Sequence, residues 1–347
     1  MSTALDAFAI YRFPHADHCT LVGQNGVPLS LPELKELNRE CGFVIAPFTP
    51  GDTSPIILLR PDVVKNYACR EVEELTFLPF HPGNVNLAFE PASREAYHDI
   101  FSRFHRAFSA TGIQKLVLAR CADVSHDGVS MMKLFALACE RYPEAFVTLF
   151  SAPQCGTWLI ATPEVLLDRA GDKWHTMALA GTMPYTDSKP SWSDKNVQEQ
   201  AFVAHYIKDC LEHYSDDVSM GSPYTTQSGK LVHLHTDFSF SLRDGVSVGH
   251  LLEDLHPTPA VCGLPKREAH RFIIDNESCE RSYYSGFSGP LDINGETAMY
   301  VSLRCMLIMG DRYRLYAGGG ILPQSEEKME WDETAAKMQS MSSLIAK

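Results

Sequence analysis

Positive charge is scarce in this sequence, and that scarcity excludes one large class of functions. The 347 residues include 30 Lys and Arg against 43 Asp and Glu, a formal net charge of −13 at pH 7. Proteins that hold nucleic acids by their phosphates need a surplus of basic side chains, so we expect no DNA or RNA partner. Hydrophobic residues at 45% and charged residues at 21% exclude a disordered chain.

The sequence also lacks long apolar runs and a targeting signal. No stretch approaches the roughly 20 apolar residues of a membrane-spanning helix. The first residues, MSTALDAFAIYRFPHAD, carry acids and no basic segment ahead of the apolar ones, unlike a secretory signal. We therefore expect a soluble, cytoplasmic protein without a membrane partner.

Signatures of zinc sites and disulfide frameworks are absent as well. The 10 cysteines are isolated from one another with no CxxC pair, and the 14 histidines form no HExxH motif. Zinc is therefore not expected, and a chain of this length builds its core without disulfides. The thiols are expected to be free.

Apolar periodicity predicts helices and strands without a strict βαβ rhythm. Helices are predicted at 93–111, near 129–141, at 195–213 and from about 327. Strands are predicted at KLVLAR, AFVTLF, TWLIATP, MYVSLRCMLIM and YRLYAGGGI. Helices followed by several strands favour an α+β fold with large sheets over a doubly wound fold.

Several acids occupy positions that allow two interpretations. Glu330, Glu333 and Lys337 lie along one edge of the apolar stripe of the last helix. They form either a solvated ladder of charged side chains or, because the glycine-rich AGGGI precedes them, a site for a divalent cation. Glu199 heads an apolar stripe, either partly buried against a cation or complementing a helix dipole. Glu164 follows a proline at a strand end, either exposed or buried with a raised pKa as a proton donor.

Two cations are predicted to lie on apolar strand faces. Lys115 shares a face with Val117, and Arg304 is predicted in mid-strand on a face with Tyr300 and Met306. A desolvated lysine has a lowered pKa and can act as a base, whereas an arginine stays charged and binds carboxylates. The alternative, snorkelling at a strand end, fits Lys115 better than Arg304.

Ten segments, taken together and in order, resemble the chorismate-utilising enzymes and most closely the isochorismate synthases. The segments are KLVLAR, TPEVLLDR, ALAGT, KNVQEQAFV, LVHLHTDF, LHPTPAVCG, SGFSGP, VSLRCM, LYAGGGI and EWDETAAKM. The resemblance implies an α+β fold in which two large, mostly antiparallel sheets pack face to face with helices outside. It implies one domain over 1–347, with a variable part at 1–90 and a chorismate-binding core at 95–345.

The resemblance also implies a role for each matched residue and one cofactor, Mg²⁺. Glu199, Glu330 and Glu333 match the metal ligands, Lys115 the general base and Glu164 the general acid. The positions matched to substrate binding are Gly181, Thr182, His256, Arg304, Tyr316, Gly318, Gly319 and Lys337. The partner implied is the small molecule chorismate, and a monomer is expected because no feature demands a second subunit.

The implied reaction is the Mg²⁺-dependent isomerisation of chorismate to isochorismate, in which water attacks C2 and the C4 hydroxyl leaves. A base for water and an acid for the leaving oxygen suit this chemistry, and the substrate's two carboxylates call for Mg²⁺ and arginine. Relatives that use ammonia usually lack a lysine at position 115, and some carry lysine where this chain has Ala180. Salicylate synthases, which add pyruvate elimination, and a catalytically silent binding protein are the alternatives.

Two departures from the family pattern are visible. Met183 stands where arginine commonly follows the AGT segment, and Gln200 stands where histidine commonly follows Glu199. Neither removes a matched catalytic or metal-binding group. The pathway served, whether menaquinone, siderophore or salicylate formation, is left open by these motifs.

Overall fold

The computed structural model describes residues 5–83, 91–125, 128–187 and 190–345. Within them the chain forms nineteen β-strands and six α-helices, with two 3-10 helices at Leu34–Leu37 and Cys69–Glu74. The strands are β1 (Ala7–Arg12), β2 (His18–Gln24), β3 (Leu29–Leu31), β4 (Gly42–Ala46), β5 (Ile56–Leu59), β6 (Val63–Ala68), β7 (Lys115–Ser125), β8 (Phe146–Ala152), β9 (Gly156–Thr162), β10 (Val165–Ala170), β11 (Lys173–Pro184), β12 (Ser219–Met220), β13 (Tyr224–Ser228), β14 (Leu231–Phe240), β15 (Gly263–Leu264), β16 (Phe287–Leu291), β17 (Ala298–Val301), β18 (Cys305–Ile308) and β19 (Arg312–Ile321). The helices are α1 (Arg94–Thr111), α2 (Met131–Arg141), α3 (Asp194–Glu212), α4 (Val248–Leu255), α5 (Lys266–Asn276) and α6 (Glu327–Ile345).

The strands form two large antiparallel sheets. The first has nine strands in the order β15-β7-β19-β18-β9-β8-β1-β2-β6. The second has ten, in the order β12-β14-β11-β10-β17-β16-β4-β5-β3, with β13 paired to β14 off this path. The predicted α+β fold class with two large antiparallel sheets is confirmed. The N-terminal strands enter both sheets, because β1 pairs with β8 and β4 pairs with β16.

The two sheets pack against each other, and helices cover their outer faces. Between the sheets, the ring of Phe146 on β8 stacks on that of Tyr300 on β17, with centroids 4.1 Å apart. Helices α2 and α6 cover the first sheet, and α3 and α4 cover the second. Helices α1 and α5 pack on the outer face of β7. No helix within the described ranges is long and apolar enough to cross a bilayer.

Local sequence signals account for the helix boundaries. The side chain of Ser93 accepts a hydrogen bond from the N–H of Ala96 at 3.2 Å, which caps the start of α1. Gly112, with φ of 72°, ends α1 in the left-handed conformation that glycine adopts without strain. The helices predicted at 93–111, 195–213 and from 327 match α1, α3 and α6.

The mid-strand position predicted for Arg304 is wrong. The segment MYVSLRCMLIM contains two strands, β17 in the second sheet and β18 in the first, and Arg304 lies in the connection with φ of 46°. The face that it was predicted to share with Tyr300 and Met306 therefore does not exist. Both strands are buried throughout, so the sequence stays apolar on both sides of the point where the chain passes from one sheet to the other.

Candidate active site

A cavity lies between the sheets, bordered by β7 and β19 on one side and by β11 and α3 on the other. It has an empty volume of about 640 Å³ and is partly open to solvent. Eight of the thirteen predicted site residues line it: Glu164, Gly181, Thr182, Glu199, Arg304, Tyr316, Gly318 and Lys337. Segments that lie far apart in the sequence therefore meet at one concave site.

Glu164 lies in the connection between β9 and β10, and 2% of its surface is exposed. Its N–H donates to Oγ1 of Thr162 at 3.2 Å, which fixes the turn. Burial raises the pKa of its carboxyl to about 8, although the nearby cations Lys115, Lys337 and Arg304 act in the opposite direction. The group is therefore protonated at neutral pH and is able to donate a proton into the cavity.

Arg304 presents a partly buried guanidinium that two side chains hold in place. It donates hydrogen bonds to Oγ of Ser228 and to Nε2 of His233, the latter at 2.6 Å. Burial lowers the pKa of Arg304 to about 10, so the group keeps its charge at neutral pH. No carboxylate is hydrogen-bonded to it among the described residues, and its charge is available to an anion in the cavity.

His233 is a cavity residue that was absent from the predicted site. Its Nε2 accepts from Arg304, so Nδ1 carries the proton and donates to Oγ1 of Thr182 at 3.1 Å. Burial, together with the charges of Arg304 and Lys337, lowers the pKa of His233 well below its ordinary value. The alternation of LVHLHTDF could have placed His233 on one strand face, but no spacing links that face to Arg304.

A bulge in β11 turns Gly181 and Thr182 toward the cavity. The register between β11 and β14 shifts between Ala180 and Thr182, and Gly181 has φ of 72°. A Cβ atom at Gly181 would lie 3.2 Å from Cβ of Asn196 on α3. Glycine is therefore needed here both for its backbone conformation and for the close approach of α3.

Three predicted metal ligands converge on two glycines of β19. A Cβ atom at Gly320 would lie 2.0 Å from Oε1 of Glu199. One at Gly319 would lie 2.9 Å from Oε2 of Glu330 and 3.9 Å from Oε1 of Glu333. The carboxylates of α3 and α6 thus reach the glycine backbone only because no side chain stands there.

We expect Gly320→Ala to displace the Glu199 carboxylate, because the new methyl group would overlap Oε1. Overpacking a buried site in this way costs roughly 1–3 kcal/mol of stability. The measurement is the free energy of unfolding in urea, which should fall. Gly310→Ala is the matched control, since nothing lies within 4 Å of its Cβ position. Equal behaviour of the two variants would contradict the close contact.

Lys115 and Glu199 form a buried ion pair at the border of the cavity. Lys115 begins β7 with 0% of its surface exposed, and its Nζ lies 3.1 Å from Oε1 of Glu199. Burial acts to raise the pKa of Glu199, but the charges of Lys115 and Lys195 outweigh it and the pKa is lowered. Snorkelling of Lys115 to the surface is therefore excluded. Lys115 adjoins the cavity through Glu199 and is not among the residues that line it.

The acids of α6 are paired with lysines. Glu330 is 1% exposed, and its Oε1 contacts the ammonium of Lys195, a residue not included in the predicted site. Burial and the charge of Glu333 raise the pKa of Glu330 to about 7. Nζ of Lys337 lies 2.7 Å from Oε1 of Glu333 and donates to the carbonyl of Gly318 at 2.9 Å. A solvated charge ladder is thus excluded for Glu330.

The chemistry of these acids fits a hard divalent cation. Glu199, Glu330 and Glu333 offer carboxylate oxygens, which Mg²⁺ prefers. Oε2 of Glu330 is buried and has no hydrogen-bond partner among the described residues, so one ligand oxygen is free. In the described ranges no group of three His, Cys, Asp or Glu side chains has the spacing of a formed metal site.

The structure does not bring His256 to this cavity. His256 ends α4, and its Nε2 hydrogen-bonds to the carbonyl of Pro47 at 2.9 Å. It borders a different depression, between α4 and α5. Ala260 and Val261 of the same segment line the cavity instead. The predicted position of His256 beside the substrate ring is therefore not supported by its contacts.

Comparison with known proteins agrees with this geometry. Residues 71–346 match the sequence profile of the family described as "Chorismate binding enzyme". The chain belongs to the chorismate-binding enzymes. The resemblance found in the sequence motifs is confirmed, and the match begins ahead of the predicted core boundary at residue 95.

Curated relatives of this chorismate-binding enzyme carry the names of isochorismate synthases. It is 26% identical to isochorismate synthase EntC of Escherichia coli K12, covering 85% of this chain and 78% of that protein. It is 27% identical to the vibriobactin-specific isochorismate synthase of Vibrio cholerae, covering 86% and 78%. A solved structure of a putative isochorismate synthase, DhbC of Bacillus anthracis, aligns with a TM-score of 0.81 at 24% identity, covering 99% and 97%. That last likeness establishes the fold.

Proposed function

We propose that this protein is an isochorismate synthase, an isomerase that converts chorismate to isochorismate. The observation that carries the proposal is the buried carboxyl of Glu164, protonated at neutral pH, in one cavity with Arg304 and Lys337, while the buried Lys115 adjoins that cavity through Glu199. Glu164 and Lys115 supply an acid and a base to one substrate. The curated relatives named as isochorismate synthases support the same reaction.

The proposed reaction needs two proton transfers. Lys115 must first pass the proton of its ammonium to Glu199 or to solvent. Its neutral Nζ then takes a proton from water as the water oxygen bonds to C2 of the ring. The ring double bond shifts, and the bond between C4 and its oxygen breaks. Glu164 gives its proton to the leaving hydroxyl, which departs as water, so the substrate and product have the same composition. Proton exchange with solvent restores both side chains.

Cations in the cavity suit a substrate with two carboxylates. Arg304 and Lys337 both line it, and Arg304 is oriented by Ser228 and His233. In a chain of net charge −13, these local charges offset the repulsion that a dianion would meet. Tyr316 stacks on Trp158 with ring centroids 5.4 Å apart and provides a rigid wall.

Glu199, Glu330 and Glu333 would hold Mg²⁺ in this proposal. When bound, the ion supplies positive charge next to a substrate carboxylate. Support comes from the carboxylate donors, from the free oxygen of Glu330 and from the glycines that admit these groups.

The test is incubation of the purified protein with chorismate and Mg²⁺, with products separated by chromatography. Isochorismate as the main early product is the expected result. Salicylate with pyruvate would favour the salicylate synthase alternative, and no conversion at any Mg²⁺ concentration would reject an enzymatic role. Anthranilate formed with ammonia would place the protein with the ammonia-using relatives.

We expect Glu333→Gln to raise the Mg²⁺ concentration needed for half-maximal turnover by at least about tenfold, since one anionic ligand oxygen is withdrawn. Glu199→Gln should act in the same direction. The measurement is a Mg²⁺ titration at saturating chorismate. Asp332→Asn is the control, because Asp332 adjoins Glu333 on α6 but pairs with Lys328 at the surface. An unchanged titration for both glutamate variants would reject the metal assignment.

A further inference from the structure

One ammonium group faces all three acids of the proposed metal site. Lys195 lies in the first turn of α3, and its ammonium contacts Oε1 of Glu330. It also interacts electrostatically with Glu199 and Glu333. The charge of Lys195 therefore acts on all three carboxylates.

The two other lysines near these acids differ from Lys195. Lys115 is fully buried and pairs with Glu199. Lys337 is tied both to Glu333 and to the carbonyl of Gly318. For Lys195, the bond to Glu330 is the one hydrogen bond of its ammonium among the described residues. Its side chain is 21% exposed, so a route to solvent exists.

We propose that Lys195 is the counter-ion of the metal-free site and that a divalent cation must displace its ammonium to bind. The inference rests on the metal assignment of the proposed function. Two cations that share one carboxylate repel each other strongly at the effective dielectric of a protein surface. Lys195 and the metal therefore compete for the carboxylate of Glu330, whose Oε1 contacts Lys195 and whose Oε2 is free.

The proposal has two consequences in the absence of substrate. Replacing Lys195 by an uncharged residue removes the competitor, so Mg²⁺ should bind more tightly. The same replacement leaves buried like charges uncompensated, so the metal-free protein should unfold at a lower temperature. Mg²⁺ should then raise the melting temperature of the variant more than that of the unaltered protein.

The experiment is calorimetric titration of Mg²⁺ into the metal-free full-length protein, with thermal melts at the same Mg²⁺ concentrations. We expect Lys195→Met to lower the Mg²⁺ dissociation constant by about tenfold or more. Lys195→Gln is the second variant, used if the methionine variant does not fold. Lys208→Met is the matched control, since Lys208 lies on the same helix and pairs with Glu212 at 3.1 Å.

Each outcome either supports or contradicts the displacement of Lys195 by the metal. Tighter binding together with a larger thermal shift in the Lys195 variants supports displacement. Unchanged or weaker binding overturns it and assigns Lys195 a different role. If no protein binds Mg²⁺, the displacement proposal and the metal assignment both fail, while chorismate turnover tests the proposed isomerase independently.

Discussion

Lys115→Ala is expected to lower kcat by about 10²–10⁴-fold, which is the usual contribution of a general base. Substrate binding should persist, because Arg304 and Lys337 still line the cavity. The measurements are single-turnover rates with chorismate and substrate affinity from equilibrium binding. Near-normal kcat would remove Lys115 from the mechanism.

The ion pair with Glu199 gives Lys115 a second possible role, and the experiment separates the two. If Lys115 only neutralises Glu199, its loss should alter the Mg²⁺ requirement and the melting temperature more than the chemical step. Lys115→Arg keeps a charge beside Glu199 but cannot accept a proton, because arginine stays charged in proteins. A base role predicts that Lys115→Arg remains inactive, whereas a purely electrostatic role predicts that it recovers turnover. Lys173→Ala is a surface control, since Lys173 pairs with the exposed Asp217.

The sequence motifs predicted the fold class and eight of the residues that line the cavity, and six of these eight lie in regular elements. Lys115 begins a strand, and Glu199 and Glu330 lie on helices. The residues that share a face with each of them therefore follow from the side-chain period of 2 in a strand or 3.6 in a helix. The direction of such a side chain follows from the residues beside it. Burial then distinguishes between the alternatives that periodicity leaves open, as it does for Lys115 and Glu330.

Irregular segments account for the residues whose positions differ between the sequence prediction and the structure. Arg304 lies where the chain crosses from one sheet to the other, and no period marks that crossing. His256 lies at the end of α4, where a loop begins. The motif LHPTPAVCG therefore did not predict that Val261 lines the cavity and that His256 does not. Lys195, by contrast, could have been found, because it precedes Glu199 by four residues on one face of α3.

Glu164→Gln is expected to remove the proton donor and to lower kcat by about 10²–10⁴-fold. The near-isosteric amide keeps the shape of the side chain. Because the pKa of Glu164 is raised to about 8, the active protonated form dominates at neutral pH and is lost as pH rises through that value. In the unaltered protein kcat/KM should therefore decline above about pH 8. The residual activity of Glu164→Gln should not show that decline.

Stability provides a readout of Glu164 that needs no substrate. Its folded pKa lies above the ordinary carboxyl value of 4.5, so the stability gained from the neutral form is complete below that value and is lost as pH rises through about 8. Glu164→Gln, which does not ionise, should lose less unfolding free energy than the unaltered protein between pH 5 and pH 9 in urea denaturation. Asp168→Asn is a positive control, since burial also raises the pKa of Asp168, which pairs with His175 outside the cavity, and the variant should show a difference of the same sign. Identical pH profiles for Glu164→Gln and the unaltered protein would show that Glu164 is already ionised at neutral pH and cannot serve as the acid.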